Sequence, residues 1–131
     1  MQALVIDDSK TMRMILSRLL RELGFQVSEA GNGQEGLERL RQMERPSLVL
    51  VDWNMPVMNG YEFIRHVRAD GSWSDVRLMV VTTESAAEQT NQALDAGANE
   101  YVMKPFSAET FRAKLKLMGF DIHGAAQRSR L

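Results

Sequence analysis

The sequence predicts an α/β fold: a five-stranded parallel sheet, doubly wound, with five helices divided between its two faces. Short apolar segments alternate five times with longer segments whose apolar residues recur at helical spacing. One short segment, Leu48–Val51, contains only leucine and valine, which is typical of a strand buried on both faces. Because strands that alternate with helices are joined by right-handed crossovers, this order favours one parallel sheet.

The predicted strands are four or five residues long and end at turn or cap signals. They are Ala3–Ile6, Phe25–Glu29, Leu48–Val51, Leu78–Thr82 and Asn99–Met103. Each predicted helix follows a residue whose side-chain oxygen can accept a hydrogen bond from the first turn. These cap residues are Ser9, Asn32, Asn59, Ser85 and Ser107. A glutamate three residues after Asn32, Asn59 and Ser85 strengthens those helix starts.

Length, composition and charge limit the classes of protein to consider. The 131 residues suit one domain, and 44% hydrophobic with 25% charged residues is an ordinary globular composition. The net charge of -1 gives no electrostatic reason to expect nucleic acid or an anionic membrane as a partner. The chain has no cysteine, which excludes disulfides and thiolate chemistry. No apolar run approaches the roughly 20 residues of a membrane helix.

We therefore expect a monomeric cytoplasmic protein with neither nucleic acid nor a membrane among its partners. The first residues lead directly into a strand, with no signal peptide. Residues 1–118 are predicted to form the domain. Residues 119–131 have mixed polarity and several small residues, so we expect a C-terminal tail that is partly ordered or disordered.

Polar residues stand at the carboxyl ends of four predicted strands. They are Asp7 and Asp8, Asp52, Thr82, and Lys104. A parallel sheet brings these ends to one edge, where ligands bind in open α/β folds. Three crowded carboxylates raise each other's pKa unless a cation neutralises them, and oxygen ligands without His or Cys favour Mg²⁺. A lysine and a hydroxyl can hold phosphoryl oxygens, and a carboxylate can itself accept a phosphoryl group.

Each of these residues also has an ordinary structural explanation. Asp7 and Asp8 can favour a helix dipole, and Asp52 can cap a turn. Thr82 can be an ordinary strand-end residue, and Lys104 a surface lysine. Their conjunction at four separate strand ends is what favours a phosphoryl-transfer site.

The residues at these positions match a known family. The matching motifs are Asp7-Asp8, Asp52-Trp53-Asn54-Met55-Pro56 with Gly60 after it, Thr82, Lys104-Pro105-Phe106 and Arg68-Ala69-Asp70-Gly71. From Ala3 to about Met118 the chain resembles the receiver domains of two-component response regulators, most closely the CheY-like chemotaxis regulators. The resemblance implies the flavodoxin-like strand order 2-1-3-4-5. The residues alone do not determine this order.

The resemblance also implies how the acidic residues are used. Asp52 would be the residue that is phosphorylated. Asp8 and Asp52 would bind Mg²⁺ through their carboxylates, and Asn54 through its main-chain carbonyl. Asp7 would act on the ion largely through water.

Three further residues would read the phosphoryl group. Lys104 and Thr82 would contact its oxygens, with a cis Lys104–Pro105 bond aiming the lysine amine at the acceptor. Tyr101 matches the aromatic switch residue of the family, whose ring moves inward when the threonine engages the phosphate. Apart from the resemblance, the sequence favours a half-buried strand aromatic at Tyr101.

The chain departs from the family pattern in three places. Thr83 stands where a smaller residue is common, which would restrict access to the acyl phosphate. Asn59 replaces a common aspartate before Gly60, although either residue can cap the helix. The tail after Met118 is longer than in a minimal receiver.

We predict a single-domain receiver that takes a phosphoryl group from a histidine kinase and changes its affinity for the flagellar motor switch or another phospho-dependent partner. It is not expected to be an enzyme, although it would promote its own phosphorylation and slow autodephosphorylation. The partner would contact the face formed by the fourth helix, the fifth strand and the last helix. The fourth helix, 86–96, has one large apolar residue, Leu94, so we expect it to be mobile.

Three alternatives remain open. A phosphorelay intermediate would pass the phosphoryl group to a histidine phosphotransfer protein. A phosphatase like the haloacid dehalogenases would need a second aspartate where Asn54 stands. An interaction domain that is never phosphorylated would have no need for the complete acceptor site.

Overall fold

The computed structural model describes residues 1–83 and 87–122. Its strands are β1 (Gln2–Ile6), β2 (Gln26–Ala30), β3 (Leu48–Asp52), β4 (Arg77–Thr82) and β5 (Glu100–Met103). Its helices are α1 (Lys10–Glu22), α2 (Gly33–Gln42), α3 (Gly60–Ala69), α4 (Ala87–Ala96) and α5 (Ala108–Leu117), with a 3₁₀ turn at Gly71–Trp73. The predicted alternation is confirmed, while the predicted cap Ser85 and the first predicted residue of the fourth helix, Ala86, lie outside the described residues.

The strands form one parallel sheet in the order β2-β1-β3-β4-β5, which confirms the predicted order. The register pairs Ile6 with Val51 and Asp52 with Val81. Asp7 and Asp52 therefore occupy equivalent levels on the neighbouring strands β1 and β3. The next residue of β4, Thr82, pairs with Met103 of β5, so the strand ends reach the same edge of the sheet.

Two apolar layers cover the sheet and hold its edge in place. On one face, residues of α2, α3 and α4 surround Phe63, which is fully buried. On the other face, residues of α1 and α5 surround Phe111, which is also fully buried. All five residues of β3 are buried, as its apolar sequence predicts.

The helices α1, α2, α3 and α5 begin directly after their predicted cap residues. Ser9, Asn32 and Ser107 each accept a hydrogen bond from a main-chain N–H of the first turn. Asn59 and Glu62 form both bonds of a capping box at the start of α3. The Asn59 cap therefore places the start of α3 directly behind the loop that follows Asp52.

The segment after α5 also contributes to the core. Phe120 packs edge to face against Phe25 with ring centroids 5.6 Å apart, and Ile122 is buried with the α1 and α5 residues. Two apolar residues separated by a polar one form no helical pattern, so this packing could not be predicted from the sequence. The boundary between a domain and a tail at Gly119 stays a prediction, and residues 123–131 lie outside the described part. Among the described helices, none is both long and apolar enough to cross a membrane.

Candidate functional site

Three carboxylates meet at the carboxyl edge of the sheet. One oxygen from each of Asp7, Asp8 and Asp52 lies within 4.8 Å of the other two. Asp7 and Asp52 are buried, at 1% and 8% exposure, while Asp8 faces solvent. The juxtaposition expected from the strand ends is present, because β1 and β3 are neighbours in the sheet.

Local hydrogen bonds fix the turn that carries Asp7 and Asp8. The main-chain N–H of Ser9 donates to Asp7 Oδ1 at 2.9 Å, which ties the first carboxylate to the start of α1. Arg13 Nη1 donates to the main-chain carbonyl of Asp7 at 2.6 Å, and Arg13 Nε lies 3.3 Å from Glu29 Oε1. Arg13 thus links α1, the end of β1 and the end of β2. The sequence offered no signal for Arg13 beyond its place on the first turns of α1.

Lys104 reaches the carboxylates from the end of β5. Its Nζ lies 3.1 Å from Asp7 Oδ2 and 3.7 Å from Asp52 Oδ1, and its side chain is 15% exposed. The Lys104 main-chain N–H donates to the Thr82 carbonyl at 2.7 Å, so the ends of β4 and β5 are joined at the site. The Lys104–Pro105 peptide is cis, as predicted.

The electrostatic environment of Asp52 is unfavourable to its charged form. Burial, followed by the Asp7 carboxylate, raises the pKa of Asp52 from 3.8 to about 6. Asp8 adds to the rise, while the Lys104 ammonium and a hydrogen bond from the Asn54 main-chain N–H oppose it. Crowding of the carboxylates could be predicted from the strand ends, but burial makes the larger contribution to the rise in the pKa of Asp52.

The donor set fits a hard divalent cation. Among the described residues, three carboxylates gather at this edge of the sheet and the Lys104 ammonium pairs with two of them, so acidic groups are in excess. Carboxylate oxygens without a His or Cys partner are the ligands that Mg²⁺ prefers. Receiver domains bind Mg²⁺ at an acidic pocket, and Asp7, Asp8 and Asp52 form such a group here.

Thr82 and Tyr101 lie beside this cluster but at different depths. Thr82 is 5% exposed and ends β4, one residue beyond the partner of Asp52. Tyr101 pairs with Val80, two residues earlier on β4, and its half-buried ring packs against the core on the α2, α3 and α4 side. The structure therefore groups Thr82 with the acidic residues and places Tyr101 further from the edge.

The two other predicted positions are at the solvent boundary. Asn54 is exposed, and its main-chain N–H faces Asp52. Thr83 is exposed and lines an apolar groove beside Lys104, together with Met12 and Phe106. Lys104 therefore borders both this apolar groove and the acidic cluster.

Comparison with known proteins identifies the class of molecule. Residues 3–116 match the response regulator receiver domain, and the chain therefore belongs to that family. Receiver domains of this kind are signalling proteins and not classical enzymes.

Several proteins similar to this chain are chemotaxis proteins. The chain is 39% identical over 119 residues to chemotaxis protein CheY1 of Helicobacter pylori strain J99, covering 90% of this chain and 96% of the relative. It is 41% identical over 117 residues to the chemotaxis protein CheY homolog of Campylobacter jejuni, covering 88% and 90%. Among solved structures, chemotaxis response regulator CheY4 of Vibrio cholerae matches with a TM-score of 0.81 and 33% identity, covering 88% and 95%.

Proposed function

We propose that this protein is a single-domain response regulator whose Asp52 accepts a phosphoryl group from a histidine kinase in the presence of Mg²⁺. Phosphorylation then changes its affinity for a partner in chemotaxis or flagellar control. The observation that carries this proposal is the convergence of three carboxylates and Lys104 at one edge of the sheet. Relatives named as chemotaxis proteins support the choice of pathway.

Asp52 is the group that reacts. One oxygen of its carboxylate attacks the phosphorus of a phosphohistidine, a P–O bond forms as the P–N bond breaks, and the histidine nitrogen leaves with the electron pair. The attacking form is the ionised carboxylate, which predominates at neutral pH even without Mg²⁺, because the raised pKa of Asp52 is about 6. Burial disfavours the charge and so makes the Asp52 carboxylate more basic. Because its pKa of about 6 lies below 7, the ionised form is still available at neutral pH.

The surrounding residues position the charges of the transfer. Lys104, at 3.7 Å from Asp52 Oδ1, is placed to pair with an oxygen of the incoming phosphoryl group. Mg²⁺ held by the carboxylates of Asp8 and Asp52 and by the Asn54 carbonyl, with Asp7 acting largely through water, would neutralise phosphoryl charge. The Thr82 side chain completes the contacts to the phosphoryl oxygens.

The signal leaves the site through β4 and β5. Thr82 moves toward the phosphoryl oxygens, and the space it leaves lets the Tyr101 ring turn inward. The partner contacts the face made by α4, β5 and α5. Leu94, the one large apolar residue of α4, is 41% exposed, and this partial burial favours a shift of the helix at low cost.

The test of the acceptor is chemical. The protein is incubated with Mg²⁺ and acetyl phosphate, and the modified residue is located by mass spectrometry. We expect one phosphoryl group on Asp52 and none in Asp52→Asn. Modification elsewhere, or none in the wild type, would contradict the proposal.

Amide exchange with beryllofluoride tests the signalling face made by α4, β5 and α5. Changes confined to the loops around Asp52 would exclude this face as the route of the signal.

A phosphorelay intermediate is the second candidate. The apolar groove lined by Met12, Thr83 and Phe106 beside Lys104 suits a protein that exchanges a phosphoryl group with Asp52. Mixing the phosphorylated protein with a histidine phosphotransfer protein separates the two functions. Rapid, quantitative return of the phosphoryl group to histidine supports the relay, and slow hydrolysis without transfer supports the terminal regulator.

A further inference from the structure

Lys114 of α5 contacts the aromatic residue Tyr101 around the edge of the sheet. Its Nζ lies 4.5 Å from the centroid of the Tyr101 ring, within the range of a cation–π contact. The same Nζ lies 3.2 Å from Glu100 Oε1. The two contacts therefore hold one ammonium between neighbouring residues of β5.

The geometry of β5 makes this arrangement unusual. Successive side chains of a strand point to opposite faces. Val102 lies in the core with the α5 residue Phe111, whereas Tyr101 packs against the core on the α2, α3 and α4 side. Because β5 is the last strand of the sheet, Lys114 reaches the ring past the open edge.

Glu100 holds the lysine in position. Its Oε1 accepts two hydrogen bonds: one from the Lys114 ammonium, and one from the main-chain N–H of Tyr101 at 3.0 Å. The side chains of Lys114 and Glu100 are 25% and 18% exposed, so both charges are partly removed from water. A pair that is partly desolvated and shares one oxygen with the backbone is more rigid than an exposed surface pair.

We propose that Glu100 and Lys114 form a latch that holds the Tyr101 ring in the position seen here and so limits how readily the protein enters its active state. This inference rests on the proposed function, in which the ring moves inward after phosphorylation. A ligand shifts such an equilibrium only by its differential affinity for the two states. A contact to the ring in one state has the same effect, and a cation–π contact corresponds to about a two- to fivefold change in population.

The central variant is Lys114→Met, which keeps the aliphatic stem and removes the charge. Lys116→Met is the matched control, because Lys116 is an exposed lysine on the same helix. Lys114→Arg tests rescue, since a guanidinium keeps both the ion pair and the contact to the ring. Glu100→Gln keeps an acceptor for the Tyr101 N–H and removes the carboxylate charge.

The first readout is the exposure of the Tyr101 ring in the metal-free protein. Fluorotyrosine labels both tyrosines, Tyr61 and Tyr101, and a Tyr61→Phe background leaves the Tyr101 signal alone. The effect of heavy water on its fluorine shift reports solvent contact of the ring. We expect Lys114→Met to change this value, with partial change in Glu100→Gln and none in Lys116→Met or Lys114→Arg. An unchanged value in Lys114→Met would overturn the latch.

The second readout is the beryllofluoride concentration that half-converts the Tyr101 signal in Mg²⁺. Lys114→Met should lower this midpoint about two- to fivefold relative to Lys116→Met, because the competent state is more populated. Equal midpoints would reject the latch and leave the switch intact. A wild-type signal that ignores beryllofluoride while the protein still takes up phosphoryl on Asp52 would reject the switch, and with it any regulatory role for the latch.

Discussion

The two ends of the sheet differ in how their charged side chains are compensated by neighbouring groups. At the carboxyl end, the carboxylates of Asp7, Asp8 and Asp52 lie close together, and the Lys104 ammonium pairs with those of Asp7 and Asp52. At the amino end, the guanidinium of Arg68 is surrounded by oxygen atoms that carry no formal charge. The carboxyl end has excess negative charge that a ligand can neutralise. At the amino end, the hydrogen-bond donors of the guanidinium are satisfied within the protein.

Arg68 closes the amino end by hydrogen bonding. Its Nε donates to the Gly97 carbonyl at 2.9 Å, and its Nη atoms donate to the carbonyls of Trp73 and Val76 and to Asn99 Oδ1. The end of α3 is thereby joined to the 3₁₀ turn and to the starts of β4 and β5. Burial, and then the charge of Arg77, lower the pKa of Arg68. This cost is tolerated because the donors are paired.

The contrast separates stability from function. Unmatched carboxylates cost folding free energy in the absence of a ligand, and a cation or phosphoryl group that relieves them is bound for that reason. The Arg68 guanidinium has its donors paired within the protein and so has none free for a ligand. It connects four segments: the end of α3, the 3₁₀ turn and the starts of β4 and β5. We therefore expect substitutions at the amino end to change stability, and substitutions at the carboxyl end to change ligand binding.

The largest expected effect is that of Arg68→Met on stability. It removes the Arg68 donors to the partly buried carbonyls of Gly97 and Val76 and one of two donors to that of Trp73, and we expect a loss of about 2–4 kcal/mol in the free energy of unfolding. Urea unfolding measures this loss. Arg65→Met is the control, because Arg65 is exposed on the same helix, where it donates to the Tyr61 hydroxyl at 3.0 Å and lies over the Tyr61 ring. A loss in Arg68→Met no greater than in Arg65→Met would remove the contrast between the two ends.

The next effect is a gain in stability in metal-free Asp52→Asn. A pKa raised from 3.8 to about 6 corresponds to about 3 kcal/mol of destabilisation when Asp52 is ionised in both states, at about 1.4 kcal/mol per unit. Some repulsion is screened, so we expect Asp52→Asn to gain about 1–3 kcal/mol at pH 8 in the presence of a chelator. Asp75→Asn, at an exposed ion pair with Arg45, should change stability little.

The pH dependence of this gain has a defined sign. The folded protein binds the Asp52 proton more tightly than the unfolded chain does, so protonation favours the folded state. As the pH falls from 8 through about 6 toward 4, the wild type should gain stability relative to Asp52→Asn. A stability difference between the two proteins that is constant over this range would show that the destabilisation is not electrostatic.

Mg²⁺ should reverse the same cost. We expect weak binding, since a site open to solvent through Asp8 leaves most of the ion's waters in place. At ten times its dissociation constant the ion stabilises the wild type by about 1.4 kcal/mol, and it should stabilise Asp52→Asn much less. Trp53 fluorescence in a Trp73→Phe background measures binding at the site. No response of this emission to Mg²⁺, together with no binding heat in calorimetry, would exclude the metal site.

The sequence predicted the carboxyl end better than the amino end, for a physical reason. Parallel strands bring their carboxyl ends to one edge, so residues after separate strands, such as Asp7, Asp52 and Lys104, meet once the topology is known. The partners of Arg68 are carbonyls of turns, and no residue type marks a carbonyl that will lack a partner. In the sequence, only the family motif Arg68-Ala69-Asp70-Gly71 marks Arg68. The burial of Asp52, and the packing of Phe120, likewise depend on tertiary contacts that leave no periodic signal.

The smallest effect, and the sharpest comparison, is that of Arg13→Met. Arg13 resembles Arg68 in donating to a main-chain carbonyl, that of Asp7, but it does so at the carboxyl end and is also paired with Glu29. Its loss should loosen the turn that carries Asp7 and Asp8, while α1 remains anchored by Leu16 and Leu20 in the core. We expect a stability loss of about 1 kcal/mol or less, because the ion pair is partly exposed.

The Mg²⁺ affinity is where Arg13→Met should differ from Arg68→Met. A carboxylate pair held less firmly must be ordered when the ion binds, so the dissociation constant should rise about threefold, equivalent to about 0.6 kcal/mol of ordering. Arg68→Met should leave the dissociation constant unchanged despite its larger effect on unfolding. Trp53 fluorescence and urea unfolding on the same two variants give both quantities. If the variant with the larger stability loss also shows the larger loss of Mg²⁺ affinity, the two ends of the sheet are coupled, and the division between a structural end and a functional end is wrong.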